Sequence, residues 1–164
     1  MELLNRAIEA EVSALADALR KRGWRLAAAE SCTGGLIAAA CTSIAGSSDW
    51  FERGFVTYSN AAKTELLGVD PALIARHGAV SEEVALAMAA GALKHAAAEL
   101  AVAVTGIAGP GGAVPGKPVG TVWLAWGVSG DLRSECLQLP GDRGAVRSAT
   151  VQRALSRLHE RATA

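Results

Sequence analysis

The seven residues AESCTGG, positions 29–35, lie between two short apolar runs of the sequence. Leu26 to Ala28 comes before them, and Leu36 to Cys41 follows them. This pattern predicts a strand, a tight turn and a helix, with Ser31 in the turn. A serine at such a place either caps the following helix or faces a substrate, while free N–H groups of the first helical turn stabilise negative charge. The sequence position leaves both roles open.

Outward from this turn, helical and strand patterns alternate along the chain, and glycines and prolines separate them. The predicted helices cover residues 2–22, 36–41, 60–67, 71–77, 82–99 and 143–161, and the predicted strands cover 24–28, 51–58, 101–105, 121–128 and 132–139. The alternation predicts a three-layer α/β/α sandwich with a mixed, mostly parallel sheet of about five strands. Gly130 and Asp131 indicate an antiparallel hairpin between the last two strands. A length of 164 residues suits a single domain over 1–164.

Composition and charge exclude several classes of partner. Sixteen basic residues balance sixteen acidic ones, so no overall field draws the chain to nucleic acid or to an anionic membrane. No apolar run approaches the ~18 residues of a membrane span. The three cysteines lack a CxxC spacing and no signal peptide pattern opens the sequence, so we expect a cytoplasmic protein. The alanine-rich segments favour helices that pack closely through small side chains.

A reactive Ser31 needs a base, because a serine hydroxyl is a poor nucleophile near neutral pH. Lys63 follows the second predicted strand, and Tyr58 lies at the end of that strand. In a parallel sheet both would lie at the same edge as Ser31, where α/β proteins form their ligand crevice. A lysine desolvated there loses its proton more readily and can act as a base, with a tyrosine hydroxyl assisting. The alternative is a solvated lysine and a packing tyrosine.

Two other catalytic arrangements deserve comparison with the serine and lysine pair. Cys32 is a rival nucleophile, because a thiolate at a helix N-terminus has a lowered pKa. Adjacent residues of a tight turn point in different directions, so only one of Ser31 and Cys32 can face a substrate. The histidines lie on ordinary helical patterns away from glycine-rich turns, which argues against a Ser-His-Asp triad.

Two further segments carry candidate substrate contacts. Thr105 ends a predicted strand before a loop with Gly106 and Gly109, whose N–H groups either hold an anion or belong to a flexible surface loop. Arg143 and Arg147 lie four residues apart on the last predicted helix, where paired guanidinium groups suit a phosphate monoester. The alternative is that Asp142 caps this helix and both arginines are solvated. No His, Cys or Asp cluster has metal-ligand spacing, so we expect no metal and no cofactor.

Several motifs in a fixed order resemble one known family. They are AESCTGG (29–35), IAGSSDWFERGFVTYSNAAK (44–63), HGAVSEE (77–83), TGIAGPGG (105–112), KPVGTVW (117–123) and GDR (141–143). Together they resemble the CinA C-terminal domain family, whose stand-alone members are nicotinamide mononucleotide amidohydrolases. The similarity extends from the first predicted strand to the last predicted helix.

The resemblance implies deamidation of nicotinamide mononucleotide to nicotinate mononucleotide and ammonia, in pyridine nucleotide recycling, without a metal. Carried onto this chain, it implies that Ser31 is the nucleophile, Lys63 the general base and Tyr58 an assisting group. The implied substrate-binding residues are Cys32, Thr33, Gly34, Gly35, Thr105, Gly106, Gly109, Arg143 and Arg147. It also implies a homodimer.

Two rival functions remain open at this point. One is a non-catalytic module that binds a nucleotide or a protein partner in competence or damage responses. The other is an amidase or esterase that acts on a different phosphorylated small molecule. Turnover of nicotinamide mononucleotide separates the first rival from the amidohydrolase, and comparison with the dephosphorylated riboside tests the need for a phosphate.

Overall fold

A computed structural model describes residues 5–164 of the chain. The helices and strands follow in the order α1 (Arg6–Arg22), β1 (Leu26–Glu30), α2 (Leu36–Cys41), β2 (Phe51–Val56), α3 (Asn60–Leu67), α4 (Pro71–His77), α5 (Glu82–His95), β3 (Leu100–Gly106), β4 (Thr121–Val128), β5 (Asp131–Gln138) and α6 (Arg143–Thr163). This order confirms the predicted alternation of helices and strands.

The five strands form one mixed sheet in the order β2-β1-β3-β4-β5. β1 pairs in parallel with β2 and β3, whereas β4 is antiparallel to both β3 and β5. Four strands therefore point the same way and β4 alone runs against them. The mostly parallel sheet and the antiparallel β4–β5 hairpin were both predicted, and both are confirmed.

Helices cover both faces of the sheet, because alternate residues of the central strands are apolar on both sides. Leu26 and Ala28 of β1 pack with α1, α2 and α6, while Ala27 and Ala29 face α3, α4 and α5. On the face that α5 covers, alanines of β1 and β3 pack with alanines of α5. The predicted packing through small side chains is thereby confirmed, and the three layers make an α/β/α sandwich.

The ends of several elements differ from the prediction, and β1 covers Leu26–Glu30 where 24–28 was predicted. α5 ends at His95 and not near Glu99, because the Glu99 N–H already donates to the Arg25 carbonyl at 3.1 Å, at the start of the sheet. β2 ends at Val56, so Tyr58 follows the strand instead of ending it. The Asn5 side chain accepts from the Ile8 N–H and caps α1, and residues 2–4 of the predicted first helix lie outside the described range.

Candidate active site

The turn after β1 places Ser31 at the edge where the parallel strands end. The Ser31 N–H donates to the Val104 carbonyl of β3 at 3.0 Å, and the Gly34 N–H donates to the Ser31 carbonyl at 3.0 Å. Gly34 and Gly35 have φ values of 58° and 102°, a left-handed backbone that glycine adopts without strain. α2 begins after Gly35, which occupies the N-cap position and makes no side-chain hydrogen bond to the helix. Ser31 is therefore not the helix cap.

Glu30 provides the hydrogen-bond acceptor for the free N–H groups at the start of α2. We did not single out this residue from the sequence. Its carboxylate is fully buried and accepts from the Thr33 hydroxyl at 2.6 Å, the Ile37 N–H at 2.8 Å and the Ala38 N–H at 3.1 Å. A buried charge needs such partners, and a helix N-terminus favours an anion. Glu30, directly before Ser31, is thus hydrogen-bonded both to Thr33 of the turn and to the first residues of α2.

Lys63 reaches the Ser31 turn from α3, which the Ser59 side chain caps. Its Nζ lies 3.0 Å from Ser31 Oγ, 2.9 Å from the Thr57 carbonyl oxygen and 3.5 Å from the Tyr58 carbonyl oxygen. Only 1% of Lys63 and 8% of Ser31 are exposed. The structure therefore brings together the two side chains that the sequence indicated as candidate nucleophile and candidate base.

The surroundings of the Lys63 amine favour its neutral form. Burial lowers the pKa of Lys63, although the nearby Cys32 thiol, when ionised, acts in the opposite direction. Within residues 5–164 no carboxylate lies within salt-bridge distance of this amine. A neutral amine has two N–H donors for two carbonyls and one lone pair for the Ser31 hydroxyl proton. The three neighbouring groups match that set.

The structure argues against Cys32, which the sequence analysis named as a rival nucleophile. Its side chain is buried, and burial raises the pKa of the Cys32 thiol to about 11. At neutral pH the thiol is therefore protonated, and the thiolate that would attack a substrate is scarce. The arrangement favours Ser31 over its neighbour.

The backbone after Ser31 offers donors for an anion. Within residues 5–164 neither the Cys32 N–H nor the Thr33 N–H has a protein acceptor. The two amides lie in the turn directly after Ser31, and hydrolases stabilise an oxyanion with such backbone donors beside their nucleophile. The N–H groups of Ile37 and Ala38 are not available, because Glu30 accepts from both.

A cleft of about 190 Å³ opens beside Ser31 and Lys63. Its lining comes from the turn after β1, from β3 and the loop after it, from the segments around α3 and α5, and from the start of α6: Ser31, Cys32, Tyr58, Asn60, Lys63, Ala79, Val80, Thr105, Gly106, Ala108 and Arg143. The Thr105 hydroxyl donates to the Ala79 carbonyl at 2.9 Å, which ties two walls together. Sequence analysis did not single out Asn60, Ala79, Val80 and Ala108, although each lies inside one of the motifs that carry the family resemblance.

Tyr58 lies at the mouth of the cleft and is 62% exposed. Its hydroxyl accepts from Arg143 Nη2 at 3.0 Å, and Arg143 Nη1 donates to the Gly109 carbonyl at 2.8 Å. The assisting role predicted for Tyr58 is therefore not seen in its side-chain contacts, since its backbone and not its hydroxyl reaches Lys63. The hydroxyl instead holds a guanidinium group at the entrance.

Arg143 and Arg147 separate in the structure although the sequence paired them. Arg147 lies one turn further along α6, where its Nε donates to the Cys32 carbonyl at 3.1 Å and its Nη2 to the Thr33 carbonyl at 3.3 Å. It does not line the cleft. The two arginines therefore have different partners, because the second one is engaged by the backbone of the turn, and a joint phosphate contact stays a prediction. Asp142 caps α6, as the alternative proposed.

Four other predicted binding residues also stand outside the cleft lining: Thr33, Gly34, Gly35 and Gly109. The Thr33 hydroxyl is turned toward Glu30, Gly34 and Gly35 shape the turn, and Gly109 offers its carbonyl to Arg143. His77 contributes its carbonyl to Lys117 Nζ and does not line the cleft. Across residues 5–164 no group of three metal-binding side chains is assembled. In the same range no helix is both long and apolar enough to cross a membrane.

Comparison with known proteins places this site in a family. The model of the CinA C-terminal domain matches residues 8–162. The nicotinamide-nucleotide amidohydrolase PncC of Escherichia coli K12 is 54% identical over 144 residues, which are 86% of each chain. The protein of the same name from Pseudomonas putida is 55% identical over 144 residues, 88% of this chain and 90% of that one.

Longer relatives and solved structures match as well. A CinA-like protein of Akkermansia muciniphila is 54% identical over 141 residues, but this chain spans only 34% of its length. The crystal structure of the competence/damage inducible protein CihA of Agrobacterium tumefaciens superposes with a TM-score of 0.92 at 46% identity, covering 96% of this chain and 97% of the other. Both the sequence and the fold thus lead to one conclusion: the chain belongs to the CinA C-terminal domain family.

Proposed function

We propose that this chain is an amidohydrolase that converts nicotinamide mononucleotide to nicotinate mononucleotide and ammonia, in pyridine nucleotide recycling. The observation that carries the proposal is the buried 3.0 Å contact between Lys63 Nζ and Ser31 Oγ, which has no carboxylate partner among residues 5–164. The substrate follows from the relatives of matching length, which are named nicotinamide-nucleotide amidohydrolases.

In the first step the neutral Lys63 amine takes the Ser31 hydroxyl proton while Oγ attacks the amide carbonyl carbon. The carbonyl oxygen becomes an oxyanion and accepts from the free N–H groups of Cys32 and Thr33. Burial of the Lys63 amine lowers its pKa, which makes the neutral form of this base easier to reach than in an exposed lysine.

In the second step the Lys63 ammonium gives its proton to the leaving nitrogen, the carbon–nitrogen bond breaks and ammonia departs. An ester between Ser31 and the nicotinoyl group remains. Lys63, neutral again, takes a proton from water, whose oxygen attacks the ester carbonyl and releases the nicotinate group. The proton finally returns to Ser31 Oγ, so the enzyme is restored without a metal or a cofactor.

Arg143 is the group we assign to the substrate phosphate. Its guanidinium is exposed at the cleft mouth and bonds to two uncharged oxygens, so its charge stays free for an anion. A planar guanidinium fork suits a phosphate monoester. Tyr58 orients this guanidinium, and Thr105 with Gly106 forms the opposite wall of the cleft.

Two further attributes belong to this proposal. Cys32, Cys41 and Cys136 form no disulfide with one another, which is consistent with a reducing cytoplasm. A homodimer is the assembly that the family resemblance implies, and its measure is the molar mass of the purified protein in solution.

The test is ammonia release from nicotinamide mononucleotide by the wild type and by Ser31→Ala, with a chelator present. We expect release by the wild type alone, and much slower release from the dephosphorylated riboside. Tight binding of the mononucleotide without ammonia release would instead identify a binding module. Equal release by both proteins would overturn Ser31 as the nucleophile.

A further inference from the structure

Arg147 contacts the Ser31 turn from outside the cleft. Its Nε donates to the Cys32 carbonyl at 3.1 Å, and its Nη2 to the Thr33 carbonyl at 3.3 Å. In the part of the chain that the structure describes, no carboxylate lies within salt-bridge distance of this half-buried guanidinium. The charge of Arg147 is therefore directed at two peptide groups of the turn that holds the nucleophile.

The first of these peptide groups carries a free donor. The Cys32 carbonyl and the Thr33 N–H belong to one trans peptide unit, so they point in opposite directions. A cation at the carbonyl oxygen polarises the unit and makes its N–H a stronger donor. This Thr33 N–H has no acceptor within residues 5–164. The guanidinium therefore strengthens an unused donor two residues after the nucleophile.

The second peptide group closes the turn. The Thr33 carbonyl belongs to the same unit as the Gly34 N–H, which donates to the Ser31 carbonyl at 3.0 Å. The same polarisation strengthens this bond, which fixes the backbone of Ser31 relative to the following residues. Arg147 thus acts on both the geometry of the turn and its electrostatics.

We infer that Arg147 is a positioning residue, which orients and polarises the Thr33 N–H for the oxyanion, and not a ligand of the substrate phosphate. The inference rests on the proposed function for its substrate. It assigns the two arginines of α6 to different tasks: Arg143 binds the anion at the cleft mouth, and Arg147 prepares the turn behind the nucleophile.

The main test compares Arg147→Met, Arg147→Lys and Arg143→Met, with Arg153→Met as a matched control on the exposed side of the same helix. Arg147→Met should lower kcat about 10- to 100-fold, somewhat less than loss of a whole oxyanion donor. Its KM and its Kd for nicotinate mononucleotide should stay within about twofold, because the ground state has no oxyanion to stabilise. Arg147→Lys should recover part of kcat through one N–H···O contact.

Other patterns would overturn the inference. If Arg147→Met weakened nicotinate mononucleotide binding about tenfold, as we expect for Arg143→Met, Arg147 would be a phosphate ligand. An unchanged kcat would also contradict it. Melting temperatures of all four variants identify any that fail to fold, in which case Arg147→Lys supplies the comparison.

A second readout does not depend on the substrate. A small neutral fluorophosphonate reacts with an activated serine: an Oγ–P bond forms, fluoride leaves and the base takes the hydroxyl proton. Mass spectrometry should show labelling of wild-type Ser31 that is about tenfold slower in Arg147→Met, and equal rates would contradict the inference. If the wild type is labelled but releases no ammonia, the proposed substrate fails while the labelling comparison still decides on Arg147. If the wild type is neither labelled nor active, both proposals fail.

Discussion

Two ionisable side chains of this protein, Lys63 and Glu135, have opposite surroundings. Lys63 lies at the end of the parallel half of the sheet, buried against carbonyl and hydroxyl oxygens. Glu135 lies on the edge strand β5, where Arg153 Nη1 donates to it at 2.8 Å and Arg157 Nε at 2.7 Å. Among the residues that the structure describes, Lys63 has no carboxylate within salt-bridge distance, whereas Glu135 has two guanidinium partners.

The pKa values follow from this difference. Burial lowers the pKa of Lys63, whereas the hydrogen bond from Arg157 lowers the pKa of the Glu135 carboxyl and raises that of Arg157 itself. Lys63 therefore loses its proton at a lower pH than an ordinary lysine does, whereas Glu135 and Arg157 keep their charges over a wider pH range. Within residues 5–164, a buried amine without a counter-ion, more than the number of charges, thus distinguishes the edge of the sheet that holds the candidate site.

The largest expected effect is on catalysis by Lys63→Met. Loss of a general base should lower kcat about 10²- to 10⁴-fold, because Ser31 then has no group to accept its proton. Lys94→Met, an exposed lysine on α5, is the control and should retain wild-type kcat. A Lys63→Met variant that keeps more than a tenth of the wild-type rate across the pH range would contradict Lys63 as the base.

Glu30→Ala should give the largest loss of stability. The substitution leaves the Thr33 hydroxyl and the N–H groups of Ile37 and Ala38 without their acceptor, which costs about 2–4 kcal/mol. Urea denaturation measures the change. Glu30→Gln keeps one acceptor oxygen and should lose less; an alanine variant as stable as the wild type would show that the turn does not depend on this carboxylate.

The pH dependence of stability sharpens the contrast at Lys63. Because its pKa is lowered on folding, the unfolded chain binds more protons between the folded value and the ordinary lysine value of about 10.4. Stability relative to Lys63→Met should therefore rise with pH in that window, by at most about 1.4 kcal/mol per pH unit. A flat or falling difference in urea denaturation would contradict a lowered pKa.

Glu135→Gln should have the smallest effect. Its pKa is lowered on folding, so its stabilising contribution is present above the ordinary glutamate value and is lost as the pH falls through the folded one. Being partly exposed, the cluster should contribute less than about 1 kcal/mol at neutral pH, and less at high salt. Ammonia release should stay at the wild-type rate; a large drop would link this edge of the sheet to catalysis.

Local sequence patterns were sufficient for most of the fold. The apolar run, the glycines and the following apolar helix identified the Ser31 turn, because a strand, a left-handed turn and a helix each have their own residue preferences. The end of α5 was missed since Ala96 to Ala98 suit a helix by propensity. There a tertiary bond, Glu99 N–H to the Arg25 carbonyl, decides where the helix stops.

The candidate site was only partly accessible from the sequence. Lys63 was found from the position of its strand, but its burial depends on the carbonyls of Thr57 and Tyr58, which spacing does not reveal. A separation of four residues made Arg143 and Arg147 look equivalent. One helical turn takes the second guanidinium away from the cleft and onto the carbonyls of the Ser31 turn, a difference that only the packing of α6 determines.

The most direct test of Lys63 as the base is an NMR titration of its side chain, with the signals assigned by their absence in Lys63→Met. We expect the Lys63 amine to titrate clearly below the ordinary lysine value of about 10.4, and the acidic limb of kcat/KM to follow the same pKa. Titration at or above that value would show a charged lysine beside Ser31, and would contradict Lys63 as the base.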